Sequence, residues 1–511
     1  MSVINPRKWT ALLASSLLVA CGASAQQVSN SALLQLLVKK GLISQAEADQ
    51  ILQEAAQPAP APAATPASGG GAPLKLVAGP GSKSPLAFQI GSTAFTPLGF
   101  MDFTTVSRTT TTGGALGTGF GSIPFNNTAA GQLSETRFSA QNSRLGLRVD
   151  STIGESTKVL GYLETDFLGN TATSQNVTSN SSSLRMRNYF VDVRQGDLEF
   201  LAGQDWSMMT PNRKGISPIP GDIFYSQNVD TNYQNGLTWA RQAQVRVIYH
   251  AAPEWTLGVS AENPDQYIGG GVTLPAGFNA SSVDNGGNGT ATPNLLPDFV
   301  GKIAYDGKLG DLPVHLDAAG LIRQFKVNTL TSTVNANASA TGVAGSINGN
   351  IAVLPNLLLV GTFFTGDGGG RYLANDGAPD FIVNPANASG VDTLSLVQSD
   401  SYILGAEWDT MPANKVYAYY SRADIGRKFV QTGATTGVGY GYVGSSSSDN
   451  KWIDEWTFGD TYTVWKNATY GDLKALVQAS YINRQPWYIA PGAPSKAHVG
   501  MLFFDLRYDL P

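Results

Sequence analysis

The sequence is poor in the residues on which catalytic and metal centres depend. Of its 511 residues, one is cysteine and three are histidine, so a disulfide framework and a Cys/His metal cluster are excluded. Charged residues make up 14%, against roughly 25% in soluble domains. No run of about 18 apolar residues follows the N-terminus, which disfavours membrane-spanning helices. We therefore expect no cofactor and no metal.

Two kinds of alternation stand out in what the sequence does contain. From about Leu98 onward, tracts of roughly ten residues alternate apolar and polar side chains, and the connections between them are alternately short and long. This pattern is typical of a transmembrane β-barrel, in which only every second residue of a strand meets lipid. A mean hydropathy of -0.08 fits that arrangement. The predicted fold class is all-β, a closed antiparallel barrel over residues 75–511.

Residues 1–25 have the features of a secretory signal peptide. Arg7 and Lys8 precede a short apolar stretch, and Ala23-Ser24-Ala25 forms a small-residue cleavage site, giving a mature start near Gln26. The segment before Cys21 also fits the pattern at which lipoproteins are processed, which would leave that cysteine lipidated. Simple cleavage is favoured, because the later site is well formed and a barrel needs no lipid anchor.

Residues 26–56 predict a short helical segment on the periplasmic side. Gly41 suits the end of a first helix, and Ser44 with Glu47 forms a capping box that opens a second. Two interpretations stay open, a helical hairpin with an apolar face and an oligomerising bundle. Residues 57–74, rich in Pro, Ala and Gly, predict a semi-stiff linker to the barrel.

Sixteen strands can be counted, joined by seven short turns and eight long connections. An even number places both ends of the barrel at the short-turn side, which is periplasmic in bacterial barrels. The predicted strands are Leu98–Val106, Phe138–Asp150, Thr157–Phe167, Leu184–Val193, Leu198–Trp206, Leu237–Tyr249, Trp255–Glu262, Asp298–Tyr305, Val314–Phe325, Thr341–Val353, Leu357–Thr365, Ser401–Trp408, Lys415–Arg422, Glu455–Trp465, Leu473–Tyr481 and Ala497–Tyr508.

Strand parity assigns charged side chains to the lumen. Arg144 and Arg148 alternate with Leu145 and Leu147, and an arginine facing lipid near the midplane costs about 2–4 kcal/mol. The arginine face is therefore predicted to line the lumen. The same reasoning gives a wider set of lumen candidates, in which one strand is inconsistent because Asn188 falls on the face opposite its arginines. That set is Asp102, Glu164, Asp166, Arg185, Arg187, Arg246 and Arg323.

Arginine thus outnumbers acid among the lumen candidates, and two hypotheses follow. A sector of guanidinium groups raises the local anion concentration and favours anion passage. Alternatively, each arginine pairs with a lumen carboxylate and stiffens the wall. The first hypothesis is preferred and the second stays open.

A set of motifs in fixed order resembles one family. RFSAQNSRLGLRVD, LRMRNYFVDV, LAGQDWSMM, RQAQVRVIY, AENP, GLIRQF and GDGGGRYL are together similar to the DcaP-like trimeric porins of the general porin superfamily. The resemblance implies a trimeric barrel that takes up small, often anionic, solutes. It also implies positions near the channel interior for Gln204 and Trp206. By analogy with general porins, the third long connection, with Arg213, Lys214 and Asp222, folds inward.

The leading functional hypothesis is therefore an outer-membrane porin for small anionic or polar solutes, a homotrimer surrounded by outer-membrane lipid and with no nucleic-acid partner. A barrel enzyme is disfavoured, because the only histidines are His250, His315 and His498 and just one has a carboxylate close in sequence. A structural, adhesive or envelope-tethering barrel is the alternative, but it does not explain the inward charge parity.

Overall fold

The computed structural model describes residues 84–112, 116–169, 183–222, 227–285, 292–293 and 296–511, with Lys39 and Gln45 in isolation. The signal peptide, nearly all of the helical segment and the linker predicted from the sequence lie outside the described residues and stay predictions. Between residues 84 and 511, the described helices are single 3-10 turns. No described helix has the length and hydropathy that a membrane-crossing helix requires. These turns are Phe120–Ser122, Ala130–Gln132, Pro220–Asp222, Ala280–Ser282 and Gly370–Tyr372.

Strands dominate the rest of the described chain. In order they are β1 (Phe88–Ile90), β2 (Thr93–Arg108), β3 (Glu135–Ser139), β4 (Arg144–Ile153), β5 (Thr157–Asp166), β6 (Arg185–Gln195), β7 (Leu198–Trp206), β8 (Arg241–Ala252), β9 (Trp255–Glu262), β10 (Asp298–Leu309), β11 (Leu312–Leu330), β12 (Asn335–Leu354), β13 (Leu357–Asp367), β14 (Phe381–Asn384), β15 (Thr393–Leu396), β16 (Gln398–Met411), β17 (Asn414–Ile425), β18 (Lys428–Gln431), β19 (Gly437–Tyr440), β20 (Asn450–Asn467), β21 (Gly471–Pro486) and β22 (Ala497–Asp509).

The main sheet closes on itself as an antiparallel barrel. β2 pairs with β22 on one side and with β3 and β4 on the other, where β3 and β4 are two parts of one barrel strand. β1 is a short hairpin partner of β2, and the pairs β14–β15 and β18–β19 are small sheets within long connections. The barrel therefore has sixteen strands, as the sequence predicts, and closure leaves it no exposed sheet edge of the kind that promotes aggregation.

Burial alternates along the strands as the parity argument requires. On β8, Gln244 and Arg246 are buried, whereas Val245 and Val247 are 47% and 44% exposed. The buried face lines the lumen and the exposed face is apolar. The assignment of charged side chains to the interior is thus explained by the simple period of two in a strand.

The inconsistent strand of the sequence prediction, β6, contains a β-bulge. Glu164 pairs with Asn188 and Thr165 with Met186, so Arg187 is an extra residue without a partner on β5. A bulge lets two successive side chains point to one face, and both Arg187 and Asn188 are buried. The expectation that Asn188 and its arginine neighbours lie on opposite faces is therefore wrong, because it assumes an uninterrupted alternation.

Two long connections fold into the lumen and pack against inward side chains of the wall. The described parts of the connection between β7 and β8, residues 207–222 and 227–240, are together called loop L3 here. Its Met208 and Ile216 pack against the inward side chains Ile248 and Val300. The connection between β2 and β3 packs in the same way, with Phe120 in a cluster formed with β20, β21 and β22. L3 therefore folds inward.

Candidate pore constriction

The first limb of L3 is held by carboxylates of the barrel wall. The backbone N–H of Asn212 donates to Asp317 (3.0 Å), and that of Gly215 donates to Asp306 close to the short-turn end of β10 (2.8 Å). The Arg213 guanidinium donates to both oxygens of Glu407 on β16, at 3.0 and 2.6 Å. L3 therefore reaches from the long-loop end down to the opposite half of the barrel, where three strands fix it.

The returning limb of L3 is held by carboxylates too. The backbone N–H of Asn235 donates to Glu455 on β20 (2.8 Å), and that of Gly236 donates to Asp376 in the connection after β13 (3.1 Å). Burial, together with the nearby Glu455 carboxylate, raises the pKa of Asp376 well above its ordinary value. Because both limbs end on buried polar partners, L3 is a fixed cross-wall in the lumen.

Arg187 lies at the centre of a charged cluster beside L3. Its guanidinium donates to Glu164 (2.5 Å), to Asp166 (2.8 Å) and to the hydroxyl of Tyr233 in L3 (3.3 Å). Arg185 donates to both oxygens of the same Asp166, at 3.0 and 2.7 Å. The β6 bulge makes this possible, since it brings Arg187 over the two carboxylates of β5.

Arg241, at the start of β8, adds a further guanidinium that the sequence analysis does not single out. It lies 5.1 Å from the Trp206 ring centroid, and Arg187 lies 5.8 Å from the same ring. The Nε and Nη1 atoms of Arg241 are buried and have no hydrogen-bond partner. No described carboxylate pairs with Arg241, in contrast to Arg185 and Arg187.

The cluster therefore holds more positive than negative charge. The cluster contains four guanidinium groups and two carboxylates, and the pKa of Tyr233 is affected by the surplus positive charge. The groups are Arg144, Arg185, Arg187 and Arg241 with Glu164 and Asp166. Burial by itself raises the pKa of a phenol, yet the Arg187, Arg144 and Arg241 guanidinium groups lower the pKa of Tyr233 below its ordinary value.

Each arginine that the sequence predicts to face the lumen has an acidic partner, inside the cluster and outside it. All six arginines predicted to face the lumen have a carboxylate within 3.6 Å, as the alternative hypothesis of structural pairing requires. An open ring of unpaired guanidinium groups is absent from the described part of the barrel. The pairs are Arg144–Glu164, Arg148–Asp150, Arg185–Asp166, Arg187–Glu164, Arg246–Asp205 and Arg323–Asp298.

The remaining predicted site residues lie in different surroundings. Asp102 is buried and accepts a hydrogen bond from Arg507 (2.8 Å). Asp222 accepts one from Ser217 within L3 (2.9 Å). Gln204 alternates with the buried Asp205, so it has the outward parity of β7, and its amide donates to the Arg187 carbonyl (2.9 Å).

Lys214 lies at the other end of the lumen. It is exposed and lines a cavity of about 910 Å³ near the short-turn end, together with Arg213 and His315. Lys214 is therefore placed at the mouth of the barrel and not in the arginine cluster.

Several partners of the site were missed by the sequence analysis. Arg507 and Asp505 share a parity opposite to Phe504 and Leu506, so the period-two rule alone identifies them. The same rule places Glu407 opposite to Leu404 and Trp408, on the lumen face, but its pairing with Arg213 depends on where L3 folds. Arg241 carries no comparable signal. No group of three or more His, Cys, Asp or Glu side chains in the described ranges is arranged to hold a metal ion.

A closed sixteen-stranded barrel crossed by an inward third long loop is the fold of the outer-membrane porins. The structure is similar to the outer membrane channel DcaP of Acinetobacter baumannii, with a TM-score of 0.57 and 17% sequence identity over 82% of this chain and 97% of that chain. At that identity the likeness shows the fold.

Two further solved structures match with lower scores. OmpF of Salmonella typhi has a TM-score of 0.44 at 9% identity, covering 83% of this chain and 100% of that chain. OprB of Pseudomonas putida has a TM-score of 0.43 at 10% identity, covering 81% and 94%. No family model matches the sequence, and no curated protein matches it.

Proposed function

We propose that the protein is an outer-membrane porin through which small hydrophilic solutes diffuse passively. The observation that carries the proposal is the fixed path of L3, which crosses a closed barrel with a polar inner face and is tied to the wall at both limbs. A barrel that served only as an anchor or adhesin has no need of such a cross-wall. The porin fold of the structure supports the same conclusion.

The preferred solutes are anions, in particular carboxylates, and the arginine cluster is the basis of this preference. Arg241 is the group in the cluster without an acidic partner among the described residues, and the Arg185 side chain is 36% exposed. Guanidinium groups stay charged at physiological pH and bind carboxylates through two parallel hydrogen bonds. The preference is therefore local to this cluster, since the other lumen arginines are paired.

The rest of the assignment follows from the same hypothesis. The long loops face the cell exterior, the short turns and the helical segment face the periplasm, and the working unit is a homotrimer, as the motif resemblance implies. We propose no catalytic role, because His315 lies between Asp306 (2.9 Å) and Asp317 (3.2 Å) in the anchor of L3.

Conductance across planar bilayers tests the proposal. Purified full-length protein is expected to give stepwise currents, and reversal potentials in a salt gradient should indicate anion preference. A unit charge about 7 Å from an ion in water changes its energy by about 0.6 kcal/mol, or about three-fold in local concentration. Arg241→Gln is therefore expected to lower the anion-to-cation permeability ratio by about that factor.

Two results would contradict the proposal at different levels. Absence of stepwise conductance would reject the channel and favour the anchoring or adhesive alternative. Conductance with cation preference in the unmodified protein would reject the role of the arginine cluster while keeping the channel.

A further inference from the structure

A second group of basic side chains lies on the outside of the barrel at the long-loop end. Arg427 follows β17, Lys451 is at the start of β20, and Lys496 immediately precedes β22. These three residues are called the cation rim here. Lys496 shares the outward parity of Leu502, which is 54% exposed on β22. Arg427 and Lys451 lie over Trp487, which follows β21 with the outward parity of Tyr481, 45% exposed. The rim therefore faces away from the lumen.

Two tryptophans hold the cation rim in place. Arg427 and Lys451 lie 4.9 and 5.0 Å from the ring centroid of Trp487, and Lys496 lies 4.9 Å from that of Trp452. A cation over an indole face is attracted by the ring quadrupole. The contacts also order long side chains in advance, which lowers the entropy lost when a ligand binds.

No described carboxylate forms an ion pair with any member of the cation rim. Two lysines near the short-turn end are paired by contrast, Lys415 with Asp409 (2.8 Å) and Lys466 with Asp472 (3.1 Å). These two lysines therefore provide a paired comparison for the cation rim.

Acidic side chains on the outward face near the rim have other partners. Asp424 pairs with Arg422, at 2.7 Å. Asp454 accepts a hydrogen bond from Asn483 (2.9 Å), and Asp400 accepts one from a threonine hydroxyl. The three rim cations at the upper edge of this face are therefore available to a ligand.

An aromatic row beneath the cation rim sets its depth in the bilayer. Tyr402, Tyr420 and Trp456 lie on the outward faces of adjacent strands, with ring centroids 6.0 and 4.4 Å apart, and Tyr481 pairs with Trp456 on the next strand. Aromatic belts of this kind lie at the level of lipid headgroups. The cation rim is on the loop side of this row, where the phosphates of the outer leaflet would be.

We propose that the cation rim binds the phosphate-bearing headgroup of a lipid of the outer leaflet. The inference rests on the proposed outer-membrane location. The ammonium and guanidinium groups supply the charge, and the belt below supplies the apolar contact that acyl chains need, so a lipid fits the surface better than a soluble phosphate does.

Native mass spectrometry of the full-length protein with diphosphoryl lipid A as the probe tests this. A cation near an anionic lipid surface contributes about five-fold to affinity, so Arg427→Gln/Lys451→Gln/Lys496→Gln is expected to weaken binding by at least about 10-fold. The matched control, Lys415→Gln/Lys466→Gln, removes paired lysines from the other end and should bind normally. Charge-conserving changes, Arg427→Lys/Lys451→Arg/Lys496→Arg, should restore most of the binding.

Several outcomes would overturn the proposal. Unchanged binding by the triple glutamine variant, or an equal loss in the control, removes the role of the rim. Inorganic phosphate that competes as well as the lipid would assign a soluble-ion site instead. Heat-modifiable mobility in gels reports whether each variant has a folded barrel. If the triple variant does not fold, Lys496→Gln alone replaces it in the binding measurement, with a smaller expected loss of lipid affinity.

Conductance measured in parallel separates this proposal from the porin hypothesis. The triple variant is expected to conduct like the unmodified protein, because the rim lies outside the lumen. Lipid binding without conductance would reject the channel hypothesis and keep the lipid-binding role of the rim. Conductance together with unaltered lipid binding by the triple variant would reject the role of the rim and keep the channel hypothesis.

Discussion

Removal of the Arg213 side chain should release the first limb of L3 and destabilise the barrel. Its guanidinium makes two hydrogen bonds to Glu407, and the two side chains are only 10% and 1% exposed. Breaking a buried pair by deleting one partner leaves an uncompensated buried charge, at a cost of about 3–5 kcal/mol. After Arg213→Ala, the Tyr419 hydroxyl (2.8 Å) is the remaining described side chain that donates to Glu407. We therefore expect the free energy of unfolding to fall by about 3 kcal/mol.

A double-mutant cycle distinguishes this mechanism from simple loss of contacts. Glu407→Gln removes the charge but keeps the shape, so Arg213→Ala/Glu407→Gln should be more stable than Arg213→Ala alone by about 1–2 kcal/mol. Urea titrations of the protein folded into lipid vesicles measure both quantities. Single-channel recordings should show larger current fluctuations for Arg213→Ala than for the double variant.

The result that would refute the reasoning is additivity. If the double variant is as unstable as the sum of the two single variants, the buried charge of Glu407 is not the source of the effect. A single variant within about 0.5 kcal/mol of the unmodified protein would mean that the pair is solvated in the membrane.

Three further predictions concern other parts of the molecule. Arg241→Gln should leave the unfolding free energy within about 1 kcal/mol of the unmodified value, because no described acid loses a partner, and a larger loss in urea titrations would contradict this. Burial raises the pKa of Asp449 to about 7, so the folded state keeps a proton that the unfolded state has lost, and stability should fall as pH rises from about 4 to about 7. Asp449→Asn should flatten that decline in unfolding titrations at the two pH values, and an unchanged slope would refute the assignment. Gly203 has a φ of 141°, and a Cβ there would lie 2.2 Å from the Tyr189 carbonyl oxygen; Gly203→Ala should therefore lower the refolding yield, whereas Gly301→Ala, in open space, should not.

The sequence was sufficient for the barrel because the relevant signal is local. Alternation with a period of two shows which side chains of a strand face lipid and which face the lumen, and it can be read from that strand alone. The observed bounds of β7 and β9 coincide with the predicted ones. Strand number and closure follow from the same pattern together with the alternating loop lengths.

The charge balance of the lumen could not be obtained in the same way. Arg323 pairs with Asp298 on the neighbouring strand and with Asp380 in a connection far along the chain, and Arg213 reaches Glu407 on β16 only because L3 folds inward. Such contacts depend on loop paths that no periodicity encodes. The count of arginines over acids in the predicted strands therefore omits the carboxylates that the long connections supply.

The β6 bulge has a consequence for how this chain tolerates insertions and deletions. A regular strand offers the lumen one side chain for every two residues, whereas β6 offers Arg187 and Asn188 in succession. Arg187 is the residue without a partner on β5, so loss of one residue at the bulge would restore regular alternation and leave Arg185 and Asn188 on the lumen face. Loss of one residue elsewhere in β6 would instead exchange the faces of all positions on one side of the deletion. The bulge is thus the place in β6 where a single-codon deletion keeps the sidedness of the strand, although it removes one lumen arginine.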